Sequence, residues 1–335
     1  MTLQHETWRT APGRATGQEI GGVLIGTPHG TDAVTWPQQH LQTPMLSPGE
    51  TTLRECWLAH GPLQQGTDHG IRWRRNQHLL YGVIELDEAE DPTQPGVPPL
   101  QATSRMLYER LFCLLREQRL PHLWRVWNYI ARINEDSHGL ERYRQFNLGR
   151  YDAFVKARQE TGGQVPAACA LGVREGPLSV AFLAGASPVV TVENPRQVSA
   201  WAYPPQYGPR APTFSRAALV YPPGQEVLFI SGTASIVGHE TLHTDDVAAQ
   251  CRETVRNLES VVREANRLAR SAQPFSVRAL SHRIYVRHAG DIHTVQRALQ
   301  PLLGDADVVA VQADVCRADL LVEIESQAIH ALPSP

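Results

Sequence analysis

No stretch of the 335-residue sequence is apolar over the roughly 18 residues that a membrane-spanning helix requires. The first residues, MTLQHETWRTAPGR, contain no apolar core of the kind found in secretion signals, so we expect a cytoplasmic protein. Basic residues form no block, and 31 Lys and Arg are balanced by 34 Asp and Glu, which argues against nucleic acid as a partner. The five cysteines are odd in number and form no CxxC pair, so free thiols in a reducing compartment are expected.

Short motifs of several enzyme classes are also missing. The sequence has no GxSxG, no GxxxxGK[ST] and no GxGxxG after a strand, so serine-triad hydrolysis, nucleotide use and dinucleotide binding have no support. One motif does match, because His239–His243 reads HETLH, the HExxH pattern of zinc proteases. The following Thr244, Asp245 and Asp246 form a favourable helix start with Thr244 as the expected cap. We therefore predict that HETLH lies in the loop before that helix and binds no metal, and metal analysis would decide for a zinc hydrolase instead.

From residue 79 onward, the apolar pattern predicts two stretches with one order of elements: strand, helix, strand, helix and a closing pair of strands that we interpret as a hairpin. In the first stretch the strands are 79–86, 123–130, 167–173 and 178–185, and the helices are 102–118 and 139–159. In the second stretch a strand, Pro-Gly turn and strand at 217–234 precede helix 245–265, strand 277–288, helix 291–303 and strands 308–315 and 320–326.

This repeat predicts an α/β (α+β) chain of two units, with mixed sheets and helices packed on one face. We divide the chain into an N-terminal extension, or strands of the first domain, at 1–75, a first domain at 76–200 and a second domain at 201–335. In the extension, only short strands such as Gly22–Gly26 are predicted. A groove where two such units meet is a common place for a ligand.

One predicted helix is unusually rich in arginine and aromatic residues. The segment ERYRQFNLGRY contains Arg142, Arg144 and Arg150. These side chains form either a solvated helix face or a clamp for carboxylates, which arginine binds through two parallel hydrogen bonds.

The segment between the two stretches, WAYPPQYGPRAPTFSR, is the second concentration of such residues. It contains Tyr203, Tyr207, Arg210 and Arg216, and it is either a packed crossover loop or part of a binding site. The small, Gly-rich SGTASIVG that follows a predicted strand suggests either close packing or a backbone that a ligand approaches.

The last predicted strand carries two carboxylates at alternate positions. Glu323 and Glu325 alternate with Val322 and Ile324 and therefore share one face of the sheet. That face is either solvated or lies at the junction of the domains, where burial would raise the pKa of a carboxyl group and suit it to act as an acid. Cys316, which we place on the other strand of the predicted closing hairpin, is by type more often a small buried apolar residue.

Together these segments resemble the chorismatase family, whose fold is related to RidA/YjgF proteins. The similarity covers roughly residues 78–330 and is carried by WNYIARINEDSHGLERYRQFNLGR, YPPQYGPRAPTFSRA, LFISGTASIVGHE and LLVEIE. It implies two RidA/YjgF-like units, a pocket between them and chorismate as the substrate. By position in these motifs, it implies Glu323 and Cys316 as catalytic residues and, as substrate-binding residues, Arg144, Tyr203, Tyr207, Arg210, Arg216, Gly232 and Thr233.

The resemblance also implies a reaction. Glu323 would protonate the enolpyruvyl methylene and pyruvate would leave, without a metal or other cofactor. One branch of the family adds water and gives 3,4-dihydroxycyclohexa-1,5-diene carboxylate, and the other forms 3-hydroxybenzoate by internal displacement. Gly232 and Cys316 resemble the second branch, which is our expectation. Hydrolysis is the first alternative, and a RidA-like binding protein or imine hydrolase is the alternative from another class. Two units in one chain favour a monomer over an obligate oligomer.

Overall fold

The structure, a computed structural model, describes residues 2–8, 16–26, 34–47, 49–89, 95–159 and 162–333. Within these ranges the chain forms two large mixed sheets with helices on their outer faces and a smaller sheet near the N-terminus. This confirms the predicted α/β class with helices on one face of each sheet. No helix in the described part of the chain is long and apolar enough to cross a membrane.

The N-terminal residues form more structure than the sequence predicts. Four strands make one sheet in the order β1-β4-β2-β3, and their bounds are Leu3–Trp8 (β1), Glu19–Gly26 (β2), Gln38–Leu41 (β3) and Thr52–Ala59 (β4). The predicted strand 22–26 is the second half of β2. The sheet packs its apolar face, including Ile20 and Leu53, against the core of the two units, so it is an integral part of the fold.

The first unit contributes two helices and six strands of a seven-stranded sheet, whose seventh strand is the short Asp314–Val315 (β20) from the second unit. Its strands are Gln64–Asp68 (β5), Ile71–Arg75 (β6), Leu79–Leu86 (β7), His122–Ala131 (β8), Ala167–Val173 (β11) and Leu178–Gly185 (β12), with the short pair Asp136–Ser137 (β9) and Leu140–Glu141 (β10) beside it. The helices are Pro99–Glu117 (α1) and Arg142–Lys156 (α2). Since β5 and β6 lie in this sheet, part of the predicted extension belongs with the first unit.

The second unit contributes a six-stranded sheet and the other two helices. Its strands are Val190–Val192 (β13), Ala217–Val220 (β14), Gln225–Ala234 (β15), Ser281–Val286 (β18), Val308–Gln312 (β19) and Val322–Ala331 (β21), with the short strands Ile236–Val237 (β16), Glu240–Thr241 (β17) and Asp314–Val315 (β20). The helices are Val247–Leu268 (α3) and Ile292–Leu303 (α4). Asp246 caps α3 by accepting a hydrogen bond from the Ala249 N–H, so the prediction of Thr244 as the cap is wrong.

The two large sheets share one topology. The strands β6-β7-β12-β8-β11 of the first sheet follow the same order and directions as β14-β15-β21-β18-β19 of the second. In each, only the last pair is parallel, and a helix makes the crossover between its strands. The repeat that the sequence pattern predicts is thus present in the strand order.

Neither closing pair of strands is a hairpin, although the sequence predicts both. In the first unit, β8 lies between β11 and β12, and in the second unit β18 and β21 are neighbours while β19 lies on the far side of β18. A short turn such as REGP suggests direct pairing. In the observed order, β12 and β21 each lie between two antiparallel partners and form hydrogen bonds with both. Cys316 therefore follows the short β20, which pairs with β11 at the edge of the first sheet.

Among the described residues, three large apolar cores hold the layers together. One lies under α1 and α2, and one lies under α3 and α4, as the apolar positions of these helices predict. The third core lies between the inner faces of the two sheets. The inner face of β21 therefore points at the first unit, and its carboxylates are not solvated.

Candidate active site

A cavity of about 240 Å³ opens at the junction of the two units. Its wall combines α2 of the first unit, the connecting segment 203–216, the end of β15, the loop 316–320 and β21. Glu323 lies in its lining together with Gly232 and Cys316. Gly232 lies more than 80 positions before Cys316 and Glu323 in the sequence. The three residues meet because β15 and β21 are neighbours and because β20 pairs with the edge of the first sheet.

Glu323 is held by strand pairing on both sides. It lies opposite Ala234 of β15 and Tyr285 of β18, and only 3% of the residue is exposed. Val322 and Ile324 point the other way into the core under α3 and α4. The alternation of apolar and acidic residues thus separates a packing face from a polar one, and the polar face of β21 forms part of the cavity wall.

The Glu323 carboxyl group is in surroundings that favour its neutral form. Burial raises its pKa from 4.5 to about 8, and the negative charge of Glu325 adds to the shift. Arg125, Arg216 and Arg287 act in the opposite direction but do not reverse it. At neutral pH this carboxyl therefore carries a proton that it can donate.

Gly232 provides the space that the Glu323 carboxyl group occupies. A Cβ atom at position 232 would lie 1.9 Å from Oε1 and 2.6 Å from Cδ of Glu323, well inside van der Waals contact. The carboxyl group would have to move if any larger residue stood there. The β15 strand is irregular here, because its register with β21 shifts between Ile230 and Thr233.

Cys316 and Tyr143 close the cavity near Glu323. Burial raises the pKa of the Cys316 thiol to about 12, and Glu323 contributes to this shift. Burial likewise raises the pKa of Tyr143 well above its usual value, with Cys316 as the next cause. Both groups are therefore neutral at physiological pH, and neither is a base in the resting site.

Two guanidinium groups of the cavity wall have an N–H without a protein partner. Arg216 donates from Nη2 to the Tyr203 hydroxyl and to the Val198 carbonyl, each at 2.7 Å, but its buried Nε bonds to no described residue. Arg317 donates from Nη1 to the His239 carbonyl at 2.8 Å, and its buried Nη2 has no partner among the described residues either. Such buried donors are costly unless a ligand accepts from them.

Aromatic rings fix the direction of these two cations. The Arg317 guanidinium lies 4.1 Å from the Tyr207 ring centre and 5.2 Å from that of Tyr203. Arg216 lies 5.4 Å from the Tyr203 ring and 5.5 Å from that of Phe214. The stacking holds both cations toward the cavity and leaves their edges available for an anionic ligand.

Most of the residues that the sequence predicts for the site line this cavity, but two do not. Arg144, Tyr203, Tyr207, Arg216, Gly232, Cys316 and Glu323 are all in the lining. Arg210 is exposed and stacks on the Tyr151 ring at 4.9 Å, outside the cavity. Thr233 pairs with Ile324 and donates to the Ser231 carbonyl at 2.8 Å, and it is not part of the wall. Arg144 is itself paired with Glu141 at 3.0 Å.

The other two arginines of the α2 segment are structural, and neither belongs to a solvated face. Arg142 pairs with Glu88, and Arg150 donates to the Thr213 carbonyl at 2.7 Å while lying against three aromatic rings. Both are buried. The sequence pattern did not separate them from Arg144, because all three stand on one short helix with similar neighbours.

Sequence reasoning missed Arg317, Tyr143 and Phe214 as parts of the wall. Phe214 lies within the Pro-rich segment and Tyr143 within the Arg-rich segment. The sequence predicted both segments as possible parts of a binding site, but it did not predict these two residues. Arg317 follows Cys316 directly, and its polar character between two apolar strands was the available signal.

The HETLH segment lies before α3, as predicted. It forms part of the β16–β17 turn, and its histidines contact different partners: His239 lies 3.2 Å from the Tyr207 hydroxyl and His243 lies 3.6 Å from Glu253. Within the described ranges, three potential metal-ligating groups come together at His69, Cys113 and Glu117 on the surface, which is a different place.

Comparisons with known proteins agree on one family. Residues 55–184 match the model of the N-terminal region of FkbO/Hyg5-like chorismatases. A chorismatase of Streptomyces rapamycinicus is 38% identical over 284 residues, which cover 82% of both chains. A 3-hydroxybenzoate synthase of Streptomyces hygroscopicus is 36% identical over 296 residues, which cover 85% of this chain and 84% of the relative.

A solved structure extends the similarity to the whole fold. The crystal structure of a chorismatase superposes with a TM-score of 0.86 at 31% sequence identity. The superposition covers 97% of this chain and 98% of the other, so it includes the N-terminal sheet as well as both units.

Proposed function

Because the chain belongs to the chorismatase family, we propose that it converts chorismate into 3-hydroxybenzoate and pyruvate. Of its relatives, one is a chorismatase and another is a 3-hydroxybenzoate synthase. The reaction takes place in the cavity between the two units.

The observation that carries this proposal is the neutral carboxyl group of Glu323 beside two incompletely bonded guanidinium groups. A buried acid with a pKa of about 8 is a proton donor at neutral pH. The free N–H groups of Arg216 and Arg317 offer charge-assisted hydrogen bonds to a ligand with two carboxylates, which is what chorismate has. Arg144, paired with Glu141, contributes positive charge at the rim.

Glu323 starts the reaction by donating its proton to the methylene carbon of the enolpyruvyl group. The ether carbon then becomes electron-poor, and the bond between the ring and the ether oxygen breaks as pyruvate leaves. The electron pair of that bond stays on the oxygen, which becomes the keto group of pyruvate. General acid catalysis of this kind contributes about 10²- to 10⁴-fold in rate.

The neighbouring ring hydroxyl displaces pyruvate without water. Its oxygen bonds to the carbon that loses the ether oxygen, and its proton returns to the Glu323 carboxylate. The ring then aromatises: the original bond from that oxygen to the ring opens, one ring C–H proton is lost and one proton is taken up. The sum is chorismate going to 3-hydroxybenzoate and pyruvate, with no oxidant, reductant or water consumed.

Gly232 and Cys316 support this branch over hydrolysis. Gly232 lets the carboxyl group of Glu323 sit back against β15, which leaves room for the ring in front of it. The Cys316 thiol, with a pKa of about 12, adds a neutral, weakly polar surface that does not activate water. We infer that Cys316 steers the ring hydroxyl and takes no proton itself.

The product assay tests the proposal and its alternatives together. Purified protein is incubated with chorismate, and the ring product is identified by chromatography and mass. We expect 3-hydroxybenzoate in equal amount to pyruvate. A ring product heavier by one water would assign the hydrolytic branch. Unchanged chorismate together with hydrolysis of a 2-iminoacid would assign the activity of a RidA-like imine hydrolase, and stoichiometric zinc in the purified protein would contradict our interpretation of HETLH.

A further inference from the structure

Glu325, two residues beyond Glu323, is the centre of a buried cluster of charges. Its carboxylate accepts hydrogen bonds from Arg125 of the first unit and from the Trp127 indole at 3.2 Å, and it forms an ion pair with Arg283 at 3.0 Å. Arg283 pairs in turn with Glu55 of the N-terminal sheet. Glu325, Arg125 and Arg283 are each at most 7% exposed, so water does not screen them.

The geometry brings this cluster close to Glu323. Residues two apart on a strand point to the same side and lie about 6.6 Å apart along it. Cys169 is a neighbour of both residues, because it lines a small adjoining cavity of about 30 Å³ together with Glu323 and its thiol hydrogen-bonds to Glu325.

We propose that Glu325 is a positioning residue whose fixed negative charge, held between Arg125 and Arg283, keeps the Glu323 carboxyl in its proton-donating form. This inference rests on the proposed role of Glu323 as the proton donor and extends it to a residue that does not line the cavity. Buried ion pairs often contribute little net stability. The proposal therefore gives these ion pairs a role in the chemistry of the site.

Other groups face Glu323 from each element packed around it, and they oppose or support Glu325. Arg125, Arg216 and Arg287 lower the pKa of Glu323. The neighbouring thiols and phenols are neutral, so they carry no charge that would repel its carboxylate. The groups near Glu323 are Arg125 of β8, Tyr143 and Arg150 of α2, Cys169 of β11, Arg216 before β14, Tyr285 of β18, Arg287 after β18, and Cys316 and Arg317 before β21. The cavity at Glu323 is also lined by Glu141, Arg144, Tyr203, Tyr207 and Asp319.

Glu325 prevails because it is near and immobile. After burial itself, it is the largest cause of the raised pKa of Glu323, ahead of Arg125. A unit charge about 7 Å away at an effective dielectric constant of about 20 shifts a pKa by about one to two units. Arg125 and Arg283 hold the Glu325 carboxylate in place. Arg283 also pairs with Glu55, which offsets part of its positive charge.

The first test is Glu325→Gln, which keeps the shape of the side chain and one acceptor oxygen. Without the negative charge, and with two cations left over, the pKa of Glu323 falls. We expect the alkaline limb of the kcat–pH profile, near pH 8 in the unaltered protein, to move down by about one unit or more. Activity at the acid end of the profile should be retained.

A second variant tests the sign. Arg125→Gln removes a cation that lowers the pKa of Glu323, so the alkaline limb should move up. Opposite shifts from two partners of one ion pair cannot come from general loss of packing. Because Glu325→Gln leaves a buried charge uncompensated, the double variant Arg125→Gln with Glu325→Gln serves if the single one does not fold, and its limb should still move down.

Glu226→Gln is the matched control. Glu226 is a fully buried glutamate of the neighbouring strand β15, held by the backbone N–H groups of Arg270 and Ser271 at 2.7 and 3.1 Å. It lies opposite His330, seven residues along β21 from Glu323, or about 23 Å. Its replacement should leave the limb where it is, even if it lowers stability.

The pKa of Glu323 can also be measured by NMR, without an activity assay. In protein labelled with carbon-13 at the glutamate side-chain carboxyls, the resonance that disappears in Glu323→Gln identifies Glu323, and its midpoint is then followed with pH. A midpoint that stays unchanged in folded Glu325→Gln and in the double variant overturns the inference. If the midpoint moves as expected but no chorismate is consumed, the role of Glu325 stands and the proposed function fails.

Discussion

The strands β12 and β21 occupy the same place in their two sheets, yet their sequences are opposite in character. Both are central, both are antiparallel to two neighbours, and both present one face to the helices and one to the other sheet. In β12, LSVAFLAG, both faces are buried and carry no charge, and Ser179 is the one polar side chain. In β21, VEIESQAIHA, the helix-side face is apolar, but the inner face carries Glu323 and Glu325.

The difference shows that one topology supports packing in one unit and chemistry in the other. The buried carboxylates of β21 need partners, and Arg125 comes from β8 of the first unit while Glu55, which binds Arg283, comes from the N-terminal sheet. The site therefore cannot be assembled by the second unit alone. The glycines of the strands next to β12 and β21 follow the same division, since Gly82 makes room for the Phe182 ring and Gly232 for the Glu323 carboxyl.

Glu323→Gln is the most direct way to break the comparison between the two strands. We expect turnover to fall by about 10²- to 10⁴-fold, because the amide cannot donate the proton. The matched control is Ser179→Ala on β12, where a buried hydroxyl bonded to Gln39 and Glu85 is removed and turnover should change little. Full activity in Glu323→Gln would remove this residue from the mechanism.

The same variant has a stability readout with a definite sign. The pKa of Glu323 is about 8 in the folded protein and 4.5 in the unfolded chain, so the folded state loses relative stability as the pH rises from 4.5 to 8. Glutamine does not titrate and removes this loss. Glu323→Gln should therefore melt at least as high as the unaltered protein at pH 7, and a lower melting temperature would indicate that the carboxyl is structural.

Gly232→Ala sharpens the comparison at the neighbouring strand. The added methyl group would displace the Glu323 carboxyl toward the substrate, and a misplacement near 1 Å costs about 10²-fold in rate. We expect slower turnover and a larger fraction of the water-addition product, measured by chromatography and mass. In the control Gly82→Ala the methyl group meets the Phe182 ring instead, so stability should fall while the product ratio stays the same.

Arg317→Gln tests whether the loop before β21 supplies substrate binding. A charge-assisted hydrogen bond at this half-buried position is worth about 1.5 kcal/mol, or roughly tenfold in kcat/KM, and the loss should appear mainly in KM. Arg210→Gln is the control, because Arg210 stacks on Tyr151 outside the cavity. Equal losses in both variants would mean that general surface charge, not Arg317, attracts the substrate.

Periodicity predicted the helices and strands of both units well, because α1, α3 and α4 bury apolar faces and the inner strands are buried on both sides. Helix α2 has a weaker signal, since its buried residues include Arg142, Gln145 and Arg150. It failed on pairing: a short turn such as REGP does not reveal that β8 lies between β11 and β12. It also failed on the N-terminal strands, whose polar and Gly-rich residues carry little periodic signal.

For the site, the sequence could point to Glu323, since a carboxylate on alternate positions of an apolar strand is conspicuous. It could not separate Arg210 from Arg216, which are six residues apart in one Pro-rich segment, because only the path of the backbone decides which of them reaches the cavity. The partners of Glu325 were equally hidden, since Arg125 is 200 positions away and Arg283 is 42 positions away, on other strands.

Glu55→Gln tests how far the N-terminal sheet supports the site, and its effect on turnover should be the smallest. Burial alone would raise the pKa of Glu55, but Arg283 and His5 lower it to about 2. The ion pair thus stabilises the fold above pH 4.5, and this contribution is lost as the pH falls from 4.5 toward 2. Removing one partner of a buried pair costs about 3 kcal/mol or more, which denaturant unfolding at pH 7 would measure.

The acid side of the same experiment separates this ion pair from general packing. The unaltered protein should lose stability steeply below pH 4.5, and Glu55→Gln should lose less over that range because it has no carboxylate there to protonate. Turnover at pH 7 should stay within a few-fold, since Arg283 keeps its contact with Glu325. A large loss of turnover in folded Glu55→Gln would place the N-terminal sheet within the electrostatics of the site, and the contrast between β12 and β21 would then depend on three regions of the chain instead of two.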